Sequence, residues 1–424
     1  MSKGVLIICQ HFVPYTPSVG GVARVAYLAK QLVDRGVNVH VLTSDGVDYG
    51  FLGFDEHLSQ LSVNYLRDPL KFLVQASLKK ATANMDAVSS FSFMSFLRGV
   101  KRLVYKLVIP DLGLLMVPRY YFAASRLITS KDIGTVIVST PPHSMQIVGG
   151  LLKKRFGNRI ELVADYRDSW NASIIFSQDS AIGSYISKWL ERFCLRQANI
   201  VTFVSNPMLK KLCALYPELE IEAKGLLVMN GFAGSPSEYS DKTRRLPLRI
   251  GYFGMADDDL NGYRNVELLF KAIAAANSAG ASLELVFYGS LRLSRLNVED
   301  YPFVQIYDPV PHGKVIEKMH EMDYLLVLHT DPESSDEVVT GKFFDYIQAR
   351  RPMLCFSPLN MEAARIINAE KIGVWADSSS LEHAVSAFLS LVEEEFPKLK
   401  DSLFVHSFSR QGQYSRLIDK LSVP

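Results

Sequence analysis

Val5-Leu-Ile-Ile-Cys9 is a continuous apolar run, the pattern of a parallel strand that is buried on both faces. A loop containing Gly20-Gly21 follows, and apolar residues then recur at helical spacing through residues 22–33. Residues 37–41 alternate between apolar and polar side chains and indicate a second strand. The first forty residues therefore predict a βαβ unit.

The same alternation of strands and helices continues to about residue 232 and resumes after a polar, turn-rich stretch at 236–247. Strands and helices that alternate on both sides of a linker predict an α/β protein with two doubly wound, Rossmann-like domains. We place the N-terminal domain at 1–235, the linker at 236–247, the C-terminal domain at 248–405 and a last helical segment at 406–424. In such sheets ligands bind beyond the carboxyl ends of the strands, so an inter-domain cleft is the expected site.

The composition describes a globular protein, since 48% of the 424 residues are hydrophobic and 21% are charged. The four cysteines are scattered without a Cys-x-x-Cys pair, which favours thiols in a reducing compartment. No apolar run approaches the roughly 18–20 residues that cross a bilayer, and the N-terminal run is too short for the core of a signal peptide. We therefore expect a cytoplasmic protein.

Charge is distributed unevenly between residues 71 and 106, where seven basic residues accompany a single acid, Asp86, among many aromatic and aliphatic side chains. The basic residues are Lys71, Lys79, Lys80, Arg98, Lys101, Arg102 and Lys106. This composition predicts a segment, 70–130 in our division of the chain, that faces an anionic membrane surface. A pair of packed helices with a solvated basic face explains the pattern almost equally well.

In the C-terminal half, Glu337-Val-Val-Thr-Gly-Lys-Phe-Phe-Asp345 places two carboxylates around a predicted helix start. Thr340 is the expected N-cap, so backbone N–H groups and the positive end of the helix dipole would face a ligand beside Glu337. Lys342 adds a positive charge in the first turn. The arrangement predicts a site for an anion such as a diphosphate. Taken alone, the segment does not exclude an ordinary amphipathic helix.

The loops that follow the N-terminal strands contain further candidates. Gly20-Gly21 would let a ligand approach a helix start, although a plain tight turn is an equal alternative. His143, after two prolines, is either structural or held toward the cleft. In Asp165-Tyr-Arg-Asp-Ser-Trp170 we expect at least one of Asp165 and Asp168 to face a ligand, the alternative being an internal salt bridge.

Beyond the linker, Gly254-Met-Ala-Asp-Asp-Asp259 contains adjacent aspartates of the kind that suit a hard divalent cation. No other acids can be assigned to this run, so we predict an exposed loop and no metal site. Arg264, just before the following helix, is a candidate phosphate ligand.

Together these motifs resemble a retaining glycosyltransferase of the GT-B fold, from the large family 4-like (group 1) set of bacterial cell-surface polysaccharide enzymes. The resemblance covers nearly the whole chain. Its motifs are the Gly20-Gly21 helix start, Ser139-Thr-Pro-Pro142, Asp165-Tyr-Arg-Asp-Ser-Trp170, Asn230-Gly-Phe232, Gly251-Tyr-Phe-Gly254 and Glu337-x7-Asp345 with Gly341-Lys-Phe-Phe-Asp-Tyr346.

The resemblance implies a hexosyltransferase that moves a sugar from a nucleotide-diphosphate-sugar to a lipid-linked saccharide acceptor, with retention and without a metal or other cofactor. It places the donor in the C-terminal domain, the acceptor in the N-terminal domain, and the 406–424 helix back on the first domain. The implied pathway is lipopolysaccharide, capsule or exopolysaccharide synthesis. The enzyme would lie peripherally on the inner face of the plasma membrane and bind no nucleic acid.

The resemblance also assigns roles to residues. The implied catalytic residues are Glu337, Lys342, Arg264, His143 and Asp168, the last two positioning acceptor and donor sugar. The implied donor-binding residues are Gly20, Gly21, Gly254, Val338, Val339, Thr340, Gly341 and Asp345. Lys342 and Arg264 would neutralise the leaving diphosphate, and Glu337 would hold sugar hydroxyls.

Two departures from the family pattern bear on activity. Asp345 stands where the family has a second glutamate, and the basic pair expected after the Gly254 loop is reduced to Arg264. Two alternatives stay open for this reason. One is a non-catalytic GT-B subunit that binds a nucleotide or a partner enzyme, and the other is a GT-B nucleotide-sugar epimerase.

Overall fold

The computed structural model describes the chain except residues 1–2, 17–18, 48–60, 70–107, 174–177, 179, 242, 244, 334, 394, 396, 398 and 423–424. It divides the chain into two compact units. Unit 1 comprises 1–204, 208–228 and 414–424, and unit 2 comprises 205–207 and 229–413. The membrane-facing prediction for residues 71–106 lies outside the described residues.

Unit 1 contains a parallel sheet of seven strands in the order β3-β2-β1-β4-β5-β6-β7. Val5 of β1 is in register with Val39 of β2 on one side and with Thr135 of β4 on the other. The strands are β1 (Gly4–Ile8), β2 (Val39–Ser44), β3 (Ser62–Leu66), β4 (Ile133–Thr140), β5 (Glu161–Tyr166), β6 (Ile200–Phe203) and β7 (Gly225–Leu227). Both β1 and β2 are buried throughout, as apolar strands covered on both faces must be.

Helices cover both faces of this sheet and enclose two separate apolar cores. The helices are α1 (Val19–Asp34), α2 (Val117–Ser130), α3 (Met145–Phe156), α4 (Ala181–Gln197), α5 (Asn206–Leu215) and α6 (Ile221–Lys224). Short 3-10 turns occupy Leu112–Met116, Gly157–Arg159 and Pro217–Leu219. One core contains α1, and the other contains α2, α3, α4 and α5.

The described part of the predicted membrane-facing segment packs on the sheet. Residues 112–130 form a 3-10 turn and α2, and Met116, Tyr120 and Ile128 are buried in the core. That prediction rested on the basic and aromatic residues of 71–106 and extended to residue 130. In the structure Arg119, Phe122 and Arg126 lie on the exposed side of α2, and its apolar side is covered.

Unit 2 contains a parallel sheet of six strands in the order β12-β10-β8-β13-β14-β15, and a two-stranded sheet β11-β9. The strands are β8 (Leu248–Phe253), β9 (Ala256–Asp257), β10 (Leu283–Tyr288), β11 (Leu291–Arg292), β12 (Val304–Tyr307), β13 (Tyr324–Leu328), β14 (Met353–Ser357) and β15 (Gly373–Asp377). The helices are α7 (Glu267–Ser278), α8 (Val315–His320), α9 (Gly341–Gln348), α10 (Glu362–Ala369), α11 (Leu381–Glu393), α12 (Ser402–Ser407) and α13 (Arg410–Ile418). Two 3-10 turns span Val298–Asp300 and His312–Lys314.

In each six- or seven-stranded sheet the chain starts in the middle and winds outward in both directions. The reversal falls between β1 and β4 in unit 1 and between β8 and β13 in unit 2. The prediction of an α/β protein with two Rossmann-like halves is confirmed. A crevice forms at such a reversal because the two flanking loops leave in opposite directions.

The end of α13 and the residues after it belong to unit 1. Tyr414, Leu417 and Leu421 are buried in the core that contains α1. The Arg35 guanidinium lies 2.5 Å from the Asp419 carboxylate and supports the same contact at the surface. No helix among the described residues is both long enough and apolar enough to span a bilayer.

Candidate active site

The site in unit 2 lies where its sheet reverses direction. β8 and β13 are neighbours in the sheet, and their carboxyl ends lead into the loops that begin at Gly254 and His329. Parallel strands bring both loops to the same edge of the sheet. The sequence predicted ligand contacts in both loops, and the structure places them side by side.

The start of α9 is open. Thr340 occupies the N-cap position with extended backbone angles (φ −66°, ψ 154°), and its side chain makes no capping hydrogen bond. A Cβ atom added to Gly341 would meet no other atom within 4 Å. Phe343 and Phe344 are buried and hold the helix in place. The uncovered start of a rigid helix offers backbone N–H groups to an anion.

Lys342 lies half-buried in the first turn of α9. Its ammonium is 5.2 Å from the centre of the Tyr252 ring. A side chain at position 254 would collide with Lys342, because an added Cβ would lie 2.5 Å from Lys342 Cε and 2.7 Å from Nζ. Glycine at this position therefore leaves room for the lysine side chain. Burial and then the charge of Arg264 lower the pKa of Lys342 to about 8, against an opposing effect of Asp345.

Arg264 is the second cation of the site. Its guanidinium carbon is 4.9 Å from the centre of the Tyr263 ring, and its backbone carbonyl accepts a hydrogen bond from Asp257. The charge of Arg264 lowers the pKa of Lys342, so the two cations lie close enough to interact, although Arg264 precedes α7 and Lys342 lies in α9.

His329 was not singled out from the sequence. It follows β13 directly, is buried, and lies 5.7 Å from the Tyr263 ring between ring centres. Burial lowers the pKa of His329, and the charge of Arg264 lowers it further while Asp331 raises it. The available sequence signal for His329 was its position immediately after a continuous apolar strand. Tyr252 was quoted only as part of the Gly251–Gly254 motif, and no pattern indicated Tyr263.

A cavity of about 480 Å³ opens beside Lys342. Lys342, Asp345 and Gly254 form its polar side, while Val310, Ile316 and Met319 contribute apolar surface. Phe253 and Tyr288 stack at its edge with ring centres 5.0 Å apart. This size and this division into polar and apolar walls suit a ligand with an aromatic base and an anionic group.

The loop before α9 is fixed by backbone hydrogen bonds. The Val338 N–H donates to the Ser335 carbonyl, and the Val338 carbonyl accepts from Ala363 in α10. Glu337, Val338, Val339 and Thr340 are all half-buried. Their predicted contacts with a donor stay predictions.

The aspartate run was predicted wrongly as an exposed loop, because Asp258 is buried. Its carboxylate accepts hydrogen bonds from the backbone N–H groups of Ser294, Arg295 and Leu296. Burial alone would raise the pKa of Asp258, but these donors hold it well below its usual range. Asp258 therefore ties the loop after β11 to the loop after β9. Among the described residues no three His, Cys, Asp or Glu side chains form a group able to hold a metal ion.

In unit 1, Asp165 forms an internal salt bridge. Arg24 Nη2 lies 2.7 Å from Asp165 Oδ1, and both side chains are buried. Ser139 and Thr202 also donate to this carboxylate, and Arg24 donates to the Val228 carbonyl. Burial would raise the pKa of Asp165, but Arg24 and the hydroxyl donors lower it below its usual value. The alternative of a structural ion pair is thus the observed one for this residue.

His143 is buried rather than open at the strand end. Its ring stacks on Trp170 with 5.5 Å between centres and 8° between planes, and it also lies near Tyr166. Burial, with the charge of Arg167, lowers the pKa of His143 to about 3, so the ring is neutral at physiological pH. These contacts make it a packing residue, and its part in positioning an acceptor stays a prediction.

Asp168 and the glycine pair occupy different positions in unit 1. The Asp168 side chain is exposed. Gly20 and Gly21 lie inside the first turn of α1, which begins at Val19, three residues earlier than predicted. The contact of these three residues with a ligand also stays a prediction.

The pKa of Lys342 leads to a prediction for ligand binding. Only the ammonium form attracts a diphosphate, so nucleoside diphosphate affinity should fall about tenfold between about pH 7 and about pH 9 as a group of pKa near 8 deprotonates. Lys342→Arg keeps its charge over this range and should flatten the dependence. Isothermal titration calorimetry at several pH values measures this affinity in both proteins. An equal slope in both proteins would show that Lys342 does not contact the diphosphate.

Comparison with known proteins adds independent information. Residues 19–222 match the family model described as Glycosyltransferase Family 4. No curated protein is recognisably similar in sequence to this chain.

Several solved structures share the fold over almost the full length. The apo form of the lipopolysaccharide outer core galactosyltransferase WaaB is 12% identical, with 99% of this chain and 100% of that chain covered and a TM-score of 0.62. A sucrose-phosphate synthase from Thermosynechococcus elongatus is 11% identical, with 98% of each chain covered and a TM-score of 0.58. Anabaena HepE in complex with UDP and glucose is 14% identical, with 99% of each chain covered and a TM-score of 0.56. At these identities the similarity establishes the fold.

Proposed function

We propose that the chain is a glycosyltransferase of the GT-B fold and transfers a sugar from a nucleoside diphosphate sugar to a saccharide acceptor with retention. Unit 2 binds the donor and unit 1 binds the acceptor in this proposal. The observation that supports it best is Lys342 at the open start of α9, which lines the 480 Å³ cavity and lies near enough to Arg264 for that charge to lower its pKa.

The chemistry requires stabilisation of the leaving diphosphate, which gains negative charge as the sugar–phosphate bond breaks. Lys342, Arg264 and the helix start supply positive charge in a partly desolvated place, where it acts more strongly than in water. Asp345 lies exposed at the cavity and would accept hydrogen bonds from the ribose hydroxyls. Glu337 would hold the hydroxyls of the transferred sugar.

Retention follows in this proposal from the leaving group itself. The departing phosphate oxygen accepts the proton of the acceptor hydroxyl on the face from which it leaves, so the new bond forms on that same face. No dedicated general base is required.

Two similar structures suggest which donor and acceptor to test first. HepE was crystallised with UDP and glucose, and WaaB is a galactosyltransferase of the lipopolysaccharide outer core. We therefore propose a UDP-sugar donor and a lipid-linked saccharide acceptor in cell-surface polysaccharide synthesis. The acceptor would bring the enzyme to the inner face of the plasma membrane as a peripheral protein.

The test is a donor screen with the purified full-length chain. Thermal shift with UDP-, GDP- and dTDP-sugars identifies the donor, and nucleoside diphosphate release with saccharide acceptors measures transfer. The coupling constant of the new anomeric proton reports retention. An inverted product contradicts the mechanism. Interconversion of the donor sugar without an acceptor indicates an epimerase, and donor binding without any turnover indicates a non-catalytic subunit.

We expect transfer to be independent of metal ions, because two side chains and a helix start already neutralise the diphosphate. Activity should be unchanged after EDTA treatment and dialysis. The measurement is the initial rate with the identified donor, before and after chelation and after addition of Mn²⁺. Loss of activity on chelation, with recovery when Mn²⁺ is added, would contradict the expectation. Asp257 and Asp259 would then be reconsidered as metal ligands.

Asp345→Glu should leave donor affinity unchanged or increase it, because the longer side chain restores the glutamate of the family pattern. Asp345→Asn is the matched control, since it keeps the size and removes the charge that accepts ribose hydroxyl bonds. It should weaken donor binding about tenfold, the effect of a lost charge-assisted hydrogen bond. Titration calorimetry with the donor measures both. A strong loss of donor affinity in Asp345→Glu and no loss in Asp345→Asn would exclude Asp345 from the donor site.

A further inference from the structure

The outer side of α4 carries an exposed apolar stripe. Ile182 and Tyr185 are 75% and 73% exposed, and Trp189, one helical turn further, is 56% exposed. Ile186 completes the stripe at 39%. The spacing of 3 and 4 residues puts all four side chains on one side of the helix. The inner side is fixed in the core through Ser187, Cys194 and other buried residues, so the stripe is rigidly presented.

The neighbouring helices extend this surface. α3 packs against both α2 and α4, and the three helices cover the same side of the unit 1 sheet. Together they contain eight basic residues and one acid, Glu191, which is buried. The basic residues are Arg119, Arg126, Lys153, Lys154, Arg155, Lys188, Arg192 and Arg196. Phe122 is 62% exposed on α2. We call this three-helix side the α2–α4 layer.

The geometry points to the α2–α4 layer as the surface with which the protein binds an anionic lipid membrane. This inference rests on the proposed function in one respect only, because that function gives the protein a reason to be at a membrane. The stripe is apolar at the start of α4, and the exposed side chains further along the helix are Lys188, Arg192 and Arg196. Apolar side chains can then enter the headgroup region while basic groups meet lipid phosphates.

The residues of the stripe suit a membrane interface. Tyr185 and Trp189 combine a large apolar ring with one polar group, the composition that is favoured at the level of lipid headgroups. Lys188 lies between them in sequence and has a long aliphatic stem that lets its ammonium reach the phosphates. One helix thus presents apolar, aromatic and basic groups within three turns.

A second copy of the chain fits this surface less well. Two α2–α4 layers placed face to face would oppose basic residues with basic residues, and the only acid of these helices is buried. Like charges brought together are destabilising. The Arg192 guanidinium already pairs with Glu218, but Lys154, Lys188 and Arg196 would find no opposite charge from the three helices of the second copy.

Ile109 and Pro110 lie next to the start of α4, the helix that carries the apolar stripe. The Gln178 amide donates to the Pro110 carbonyl at 3.1 Å, and a Cβ on Gly183 would lie 3.4 Å from Ile109 Cδ1. Ile109 and Pro110 follow closely on the sequence segment with seven basic residues, 71–106. The composition of that segment favours the same partner, although the argument for the α2–α4 layer does not depend on it.

The test is co-sedimentation of the full chain with vesicles, which needs neither donor nor acceptor and so stands apart from the proposed activity. Vesicles contain phosphatidylcholine alone or with phosphatidylglycerol, at low and high salt. We expect binding to the anionic vesicles only, and weaker binding at high salt. Each basic residue near an anionic surface contributes about fivefold to partitioning, so removing four should reduce it at least tenfold.

Two matched variants separate this surface from net charge. The first changes Arg126, Lys154, Lys188 and Arg196 to glutamine. The control changes Arg245, Arg292, Arg416 and Lys420, exposed residues elsewhere, to glutamine and alters net charge equally. A third variant, Ile182→Ser with Trp189→Ser, removes the apolar part. We expect the first and third to lose binding and the control to keep it.

Three outcomes would overturn the inference. They are binding that ignores lipid charge, equal loss in the first variant and the control, and unchanged binding in the apolar variant. Circular dichroism confirms that each variant is folded. If the protein instead self-associates with rising concentration in analytical ultracentrifugation, and the apolar variant abolishes this without any vesicle binding, the stripe is an interface between copies of the chain.

Discussion

Lys342→Ala should lower kcat/KM for transfer by two to three orders of magnitude while the fold stays intact. The lysine is half-buried at the open start of α9, and the loss of one charge-assisted contact to a developing anion costs about 2–4 kcal/mol. Glu337→Ala should have an effect of similar size, because it removes the acceptor for sugar hydroxyls in the fixed loop before α9. Initial rates with the identified donor and acceptor measure both.

Lys371→Ala is the control for these substitutions, since it removes an exposed lysine from the same unit. Lys342→Arg separates charge from shape and should retain more activity than alanine. Turnover at the wild-type level in Lys342→Ala or Glu337→Ala, with thermal stability unchanged, would contradict the assigned donor site.

The second large effect concerns stability. Asp165→Asn should destabilise unit 1 by about 3–5 kcal/mol, because it leaves the buried guanidinium of Arg24 without its counter-charge. The lowered pKa of Asp165 gives the sign of the pH dependence. The contribution of ionised Asp165 to the free energy of unfolding is complete above the unfolded carboxyl pKa of about 4 and is lost as pH falls below it. The stabilities of wild type and variant should therefore converge in acid.

The measurement is urea unfolding followed by tryptophan fluorescence. Trp170 and Trp189 lie in unit 1 and Trp375 lies in unit 2, so a Trp375→Phe background restricts the signal to unit 1. The double variant Arg24→Met, Asp165→Leu replaces the pair by apolar side chains and should recover much of the loss. A single variant as stable as wild type would show that the pair is not a structural element.

Much of the fold follows from local sequence pattern. The long apolar strands and the helices with clear 3.6-residue spacing were predicted with small errors at their ends. The strands β3, β12 and β15 were missed, because they are short edge strands that are only partly buried and lack a continuous apolar run. For α2, the sequence did not show that Tyr120 and Ile128 on its inner side are buried in the core, and contact of its outer side with a membrane stays a prediction.

The candidate site could be predicted only in part. The helix start itself, with Thr340 at the N-cap position and Lys342 in the first turn, was predicted from the sequence, and the roles of these two residues toward a donor stay predictions. The role of Asp258 depends on backbone N–H groups more than thirty residues away, and Asp165 on an arginine 141 positions earlier. Such pairings are set by the order of strands in the sheet, and no local pattern encodes them.

The connectivity of unit 1 has a consequence on the ribosome. The side chains of Tyr414, Leu417 and Leu421 fill the core beneath α1, yet they are translated after all of unit 2. At ordinary elongation rates the ribosome needs about 10–40 s to make the intervening residues. Throughout that interval the apolar side of α1 emerges without its final cover. We therefore expect the nascent chain to expose an apolar surface that chaperones can bind until residues 414–421 have left the ribosome and packed on α1.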